Sequence, residues 1–301
     1  MRRQRMIPAT VIGCALLLAF VAGASRTSAD DKAAAKKVRV GLVNTLFRDD
    51  PEKQVQSMAG PLKSLMQEQA GVEGDVAIGG DALNLAAQLK EGKVQLGVFN
   101  GFEFAWAREK YPELKPLLIA VDRQPFVRAA LVVRQDNKAD SPTALQGKIL
   151  AIPLLAREHC RIFAERRLVG EGKTMDKWFA KVATPRTAQD ALDDLAENYV
   201  QAAVVDDVEL EAFRKRFPKT AAKLRVLKES ERFPCGVIAY RPGGVNEDTL
   251  KSLREGMIVA NSNERGRKLL DLSRITGFEE IPADYEKNLA DILKAYPAPT
   301  K

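Results

Sequence analysis

One histidine and three cysteines occur in 301 residues. That scarcity excludes a histidine-built metal cluster and leaves a His–Cys pair as the only nucleophilic arrangement on offer. His159 and Cys160 are adjacent, and neighbours on a helix point about 100° apart, so such a pair would need Cys235 as its nucleophile. The sequence contains no Walker loop, no Gly-x-Ser-x-Gly and no Cys-x-x-Cys run. Neither a metal, a cofactor nor an enzymatic activity is therefore expected. Aromatic residues make up only 6% of the chain, too few for a single-strand stacking platform, so nucleic acid is not an expected partner. Charge of one sign is not concentrated either. Forty-seven Lys and Arg oppose 40 Asp and Glu for a net +7, interleaved along the chain, which argues only weakly for anionic partners. With 46% hydrophobic and 29% charged residues, the composition is that of a globular chain.

A bilayer-spanning apolar run is also missing. Val11 to Gly23 is apolar but too short, and it follows the charged MRRQR start, which is the layout of an export signal. Ala22-Gly23-Ala24 supplies small residues for cleavage, so 1–24 is read as a signal peptide and 25–37 as a flexible lead. Val11-Ile12-Gly13-Cys14 has lipobox residue types, but most of the apolar stretch follows Cys14, which disfavours a lipoprotein. The mature protein is expected to be exported, to the periplasm or beyond. Cys160 and Cys235 then remain in an oxidising compartment, where they form either a disulfide or two separate buried thiols. The bridge is the expectation tested below.

What the chain does contain is an internal echo. Leu85 to Gly101, LAAQLKEGKVQLGVFNG, is matched by Ala191 to Asp207, ALDDLAENYVQAAVVDD. Each is a periodic helix, a polar break, Val-Gln, an apolar strand and a polar end, with Asn100 in register with Asp206. Buried parallel strands read this way, and ligands sit outside their carboxyl ends. Two similar lobes, each offering one loop to a shared cleft, are the implied design.

In chain order, Val38–Val43, Val72–Ile78 and Val94–Phe99 read as strands alternating with helices at 51–69, 82–91 and 101–110, hence a parallel sheet. A second unit follows: strands at 148–152, 178–182, 200–205 and 224–227, helices at 155–169, 187–196 and 209–217. Ala129–Arg134 and Gly236–Arg241 flank it as a matched pair of strands, read as the crossings between lobes and the place of a hinge. Domain I is thus 38–128 plus 236–301, and domain II is 129–235.

This order resembles the type II periplasmic solute-binding fold, more narrowly the phosphate/phosphite/phosphonate-binding proteins of ABC transporters. VRVGLVNT, the EGKVQLGVFNGFEFA stretch, RAALVVRQDNKADSPTALQGKILA, CGVIAYRPGGVNEDTLKSLREGM and FEEIPADYEKNLADIL carry the resemblance. It implies a two-lobed α/β protein, two domains joined by two crossing strands, that hands a small anionic or zwitterionic solute to a membrane ABC permease. It also implies a monomer. The resemblance is weakest at the ligand motifs. Where the family grips phosphonate oxygens with a Ser/Thr-Ser-Gly run, this chain has Ala156-Arg157-Glu158-His159-Cys160. The family's Asp-Tyr becomes Asp81-Ala82, its later helix-opening His falls near Ala188, and its loop Ser falls at Glu103.

The candidate ligand-binding residues are therefore Thr45, Asn100, Gly101, Phe102, Glu103, Arg157, Glu158, His159 and Asp206. Arg157 suits a two-pronged grip on a carboxylate or phosphate, or it is one more charge on a helix rich in arginine. Glu103 reads either as a contact for a ligand cation or as an acid at a helix start. Asp206 reads as a ligand contact and Asp207 as a cap. Phe47, Phe102 and Phe104 wall the pocket or belong to the core. A lost hydroxyl motif also fits a second class of protein, a sensor or partner-interaction protein that keeps the fold without the transported solute.

Overall fold

Runs rich in Val, Ile and Leu sort into two main sheets, and the amphipathic stretches between them cover both faces of each. The computed structural model describes residues 37–47, 51–272 and 274–299. The signal peptide read at 1–24 and the lead at 25–37 lie outside the described residues, apart from Lys37, where the first strand begins. Along the chain, β1 (Lys37–Val43), α1 (Pro51–Ala70), β2 (Glu73–Gly80), α2 (Ala82–Glu91), β3 (Leu96–Phe99), α3 (Gly101–Lys110) and β4 (Lys115–Val121) come first. After a short β5 (Phe126–Val127) follow β6 (Ala129–Arg134), β7 (Ile149–Ala151), α4 (Glu158–Arg167), α5 (Met175–Trp178) and β8 (Lys181–Ala183). Then come α6 (Ala188–Ala196), β9 (Ala202–Asp206), α7 (Asp207–Arg216), α8 (Pro218–Ala221) and β10 (Leu224–Glu229). The chain closes with β11 (Phe233–Pro234), β12 (Gly236–Tyr240), α9 (Glu247–Ile258), α10 (Glu264–Leu272), β13 (Gly277–Glu279) and α11 (Tyr285–Ala295).

The first sheet has the order β13-β4-β12-β3-β1-β2 and the second β10-β6-β9-β7-β8. In the first, β1 pairs in parallel with β2 and β3, while β12 runs antiparallel between β3 and β4. It follows that β1, β3 and β4 share one direction and end at one edge. In the second, β7 is parallel to β8 and β9, and β6 is antiparallel to β9. Alternation splits each sheet's side chains between two cores. Ile238 joins Val40, Leu118 and Met257 on one face of the first sheet, while Val237 and Ala239 join Leu85, Phe99 and Tyr285 on the other. In the second sheet Leu131 and Val133 pack with Phe163, and Val132 with Leu192 and Phe213.

The crossings differ from the expectation. The matched strands 129–134 and 236–241 do not bridge the lobes: β6 lies wholly in the second sheet and β12 wholly in the first. The chain crosses just before each, where β5 and β11 form a two-stranded ribbon with Phe233 opposite Val127 and Pro234 opposite Phe126. Proline lacks a ladder donor and suits such a short edge strand, whereas β6 and β12 are buried and need partners on both sides. A strand at 115–121 was not anticipated either. Pro116 argues against an interior strand, and the ladder accommodates it by shifting register between Ile238 and Ala239, opposite it. The strand expected at 178–182 begins as helix α5 and becomes β8 only at Lys181.

The disulfide is corrected. Cys160 and Cys235 are thiols not joined to each other, and both are buried. Cys160 belongs to the core of the second sheet, packed with Phe163 and Leu131. Cys235 belongs to a separate cluster at the ribbon and donates to the Gln124 carbonyl at 3.2 Å. Two cores hold the two sulfurs apart.

That ribbon cluster unites the lobes: Phe102 and Tyr296 come from the first, Ile162 and Val208 from the second, and Val127 and Phe233 from the ribbon itself. Gly101 fits against it. A Cβ there would stand 2.3 Å from the Pro234 carbonyl oxygen and 2.8 Å from its carbon, backbone atoms that cannot swing aside, so the first residue of α3 has to be glycine.

Candidate functional site

Strands β1, β3 and β4 end together, so the residues just beyond them, Thr45, Asn100 and Asp122, are neighbours at one edge of the first sheet. In the second sheet β7 leads to α4, with Arg157 as its N-cap and His159 in its first turn, and β9 ends on Asp206, the N-cap of α7. These two edges meet. Asp122 bonds Arg157 across the boundary, and Phe102 shares one apolar cluster with Ile162 and Val208.

On the first edge Thr45, Asn100 and Glu103 form a closed hydrogen-bonded group. The Thr45 hydroxyl lies 2.9 and 2.8 Å from the two Glu103 carboxyl oxygens, and Asn100 Nδ2 donates to Glu103 Oε2 at 2.8 Å and to Thr45 Oγ1 at 3.1 Å. Asn100 caps α3 by position but spends its side chain on Glu103 rather than on a backbone amide. Glu103 is 3% exposed. Burial pushes its carboxyl up to about 7; the Thr45 and Asn100 hydrogen bonds oppose that rise, and the charge of Glu158 on the other lobe adds to it. Glu103 and Glu158, each in the first turn of its helix, therefore lie close enough to feel each other.

On the second edge an imidazole and a guanidinium gather around one carboxylate. His159 Nε2 lies 3.3 Å and Arg157 Nε 3.9 Å from Asp206 Oδ2. Asp206 Oδ1 accepts from the Val208 amide at 2.8 Å, closing the start of α7. Burial alone would raise the Asp206 carboxyl, but His159, Arg157 and the Val208 amide outweigh it and hold it below its ordinary value. For Arg157, burial pulls the guanidinium down, and Asp206 and Asp122 more than restore it. Burial raises the neighbouring acids Asp207 and Glu209, with Asp206 adding its charge.

The nine expected site residues thus divide. Thr45, Asn100 and Glu103 form one group, and Arg157, His159 and Asp206 the other, with Glu158 beside the first. Gly101 and Phe102 serve packing: Gly101 lets α3 meet Pro234, and the Phe102 ring stacks edge-on against Trp106 and Phe233 at 5.0 and 6.0 Å. The remaining positions flagged by the family motif cap helices: Asp81 accepts from the Asn84 amide, and Thr187, just before Ala188, shares a capping box with Asp190. Asp122, Gln124 and Arg274 were not anticipated. Gln124 donates to Asp207 at 3.2 Å, and Arg274 donates to the Leu155 carbonyl at 2.9 Å and stands 3.7 Å from Glu209. The available signal for Asp122 was the apolar run Leu117–Val121 before it, which places it at a strand's carboxyl end once that run is read as a strand.

Comparison with known proteins bears on the family and the fold. The family model described as ABC transporter, phosphonate, periplasmic substrate-binding protein matches residues 45–285. No curated protein sequence matches. Among solved structures, XAC2383 of Xanthomonas citri, bound to ATP, is 15% identical, with 87% of this chain and 97% of that one covered and a TM-score of 0.56. A binding-protein component of an ABC phosphonate transporter from Pseudomonas aeruginosa is 15% identical over 86% of this chain and 85% of its own, with a TM-score of 0.54. PhnD1 of Prochlorococcus marinus, in complex with methylphosphonate, is 15% identical over 86% and 97%, with a TM-score of 0.55. At such identity these likenesses speak for the two-lobed fold.

Proposed function

The chain belongs to the family of periplasmic substrate-binding proteins of phosphonate ABC transporters, and from that premise we propose that it takes a small anionic or zwitterionic solute between the starts of α3 and α4. The family binds solute for a permease and performs no catalysis. Among the described residues no helix is long and apolar enough to cross a membrane, in keeping with a role alongside a separate permease. An N-terminal signal peptide, removed on export, and a monomeric binding protein complete the reading.

The meeting of the two sheet edges carries this reading. Arg157 and His159 approach from one lobe, while Thr45, Asn100 and Glu103 approach from the other. An anionic head has Arg157 and His159, at the start of α4, to receive it. A cationic tail has Glu103 and Asp206. Domain I at 38–128 plus 236–301 and domain II at 129–235 would then move about the β5–β11 ribbon as solute enters and leaves.

Because the hydroxyl run of the family is replaced by Arg157-Glu158-His159, the pocket is diverged. Relatives were solved with methylphosphonate and with ATP, so phosphorus oxyanions are the first probes. Calorimetry with methylphosphonate, inorganic phosphate and 2-aminoethylphosphonate tests the reading. Binding that is weak for the first two and tighter for the zwitterion is expected, with all of it lost in Arg157→Ala. Submicromolar phosphate binding that survives Arg157→Ala would refute this pocket. The second reading, a sensor or partner-interaction protein, draws on the bonds that the lobes make to each other, Arg157 to Asp122, Arg274 to the Leu155 carbonyl and Gln124 to Asp207. Failure of every probe with the lobes still closed favours it.

A further inference from the structure

The contact between Arg157 and Asp122 is the most consequential at the lobe boundary. Arg157 stands at the start of α4 in the second lobe, and Asp122 follows β4 in the first. The guanidinium's Nη2 bonds Asp122 Oδ2 and also donates to the Arg274 carbonyl at 3.3 Å. Its Nε, on the same edge as Nη2, stands 3.9 Å from Asp206 Oδ2. Asp122 and Asp206 thereby share the side-on edge of the guanidinium, the edge a carboxylate or phosphate grips with two bonds. The reciprocal tie runs the other way: Arg274 of the first lobe donates to the Leu155 carbonyl of the second at 2.9 Å and stands 3.7 Å from Glu209. Each lobe lays one guanidinium on the other. The Arg157–Asp122 pair is mostly sheltered, its side chains being 27% and 19% exposed, so solvent screens it less than a surface pair.

We propose that Asp122 is an internal counter-ion that sets the specificity of the cleft: its carboxylate occupies the face of Arg157 that a solute anion would take. It holds the lobes together in the absence of solute, and an anion enters only by displacing it. The inference rests on the solute-binding reading for its second half, while lobe closure by Asp122 stands independently of any ligand. It also supplies a reason, besides the missing hydroxyls, to expect weak phosphonate binding. When the competent form is a minor one, apparent affinity falls by the competent fraction, so a latch closed nine times in ten costs about tenfold.

Small-angle scattering of the full-length mature protein, with and without methylphosphonate, tests this together with calorimetry. Asp122→Asn is nearly isosteric and removes only the charge; Asp136→Asn, at a pair with Arg134 inside one lobe, is the control. The expected result is a compact wild type whose radius of gyration methylphosphonate does not change. Asp122→Asn should be larger without ligand, contract on adding methylphosphonate, and bind it about tenfold tighter or better, with Asp136→Asn like the wild type. A larger radius without methylphosphonate binding supports the latch and counts against the solute reading. An unchanged radius in folded Asp122→Asn overturns the proposal whatever the binding. Should that variant fail to fold, Glu209→Gln, which removes the second cross-lobe pair, must show a smaller expansion of the same kind, and its absence would equally overturn it.

Discussion

The helix starts of α3 and α4 face each other, yet they settle their charged residues in opposite ways. At α3, Glu103 finds both its partners, Thr45 and Asn100, within its own lobe, and burial pushes it toward its neutral form. At α4, Arg157 has Asp122 and the Arg274 carbonyl across the boundary, and it remains charged between two carboxylates. A group satisfied locally costs nothing when the lobes part. One satisfied across the boundary makes the relative position of the lobes part of its own energy. The first lobe therefore brings a preformed, nearly neutral hydrogen-bonding wall, and the second brings the charge whose partner decides whether the cleft is open.

The contrast is most severely broken at the packing beneath it. Phe102→Ala removes a buried ring from a cluster that both lobes share, and a loss of about 3–5 kcal/mol in denaturant unfolding is expected. A near-zero change would mean that the ring faces an open pocket instead. Next, Glu103→Gln sharpens the comparison through pH. Because the folded carboxyl is raised from 4.5 to about 7, folding takes up protons between those values, so stability falls as pH rises through that window. The glutamine variant escapes this cost, and its advantage in melting temperature should grow from pH 4.5 to pH 7 and then level off, with an upper bound of about 3 kcal/mol. A flat difference across that range would show Glu103 to be ionised throughout.

Asp206→Asn should slope the other way. Its carboxyl lies below the ordinary value, so it contributes stability that is present above the unfolded pKa and lost as pH falls through the lower folded one. A cost of about 1.5–3 kcal/mol at neutral pH, shrinking in acid, is expected from urea titrations at several pH values. A cost that grows in acid would reverse the assignment. The smallest effect concerns the cysteines. Mass spectrometry of the non-reduced protein should show two alkylatable thiols after unfolding, and a reductant should leave stability unchanged; a mass two protons lighter would restore the bridge.

The fold was legible because its signals are local. The echo of Leu85–Gly101 in Ala191–Asp207 placed Asn100 and Asp206 at equivalent strand ends, where they stand; the cap of α7, read at Asp207, is Asp206 itself. Thr45, Glu103, Arg157 and His159 were legible as positions beyond strand ends. Their partnerships were not. Nothing in the run of residues says that Glu103 turns to Thr45, 58 residues away, or that Arg157 meets Asp122, 35 away. Pro116 disguised β4 and with it Asp122, while the crossings were misplaced by a few residues because fully apolar strands look alike whether they cross between lobes or stay within one. The disulfide was inferred from compartment and count, and those give no distance.

The difference between the two helix starts comes down to lobe separation, and scattering of Arg157→Ala beside Glu103→Gln, both without ligand, reads it directly. Loss of the cross-lobe charge should enlarge the radius of gyration, whereas loss of the locally satisfied one should leave it at the wild-type value. Equal radii in all three proteins, or expansion in Glu103→Gln alone, would contradict the account.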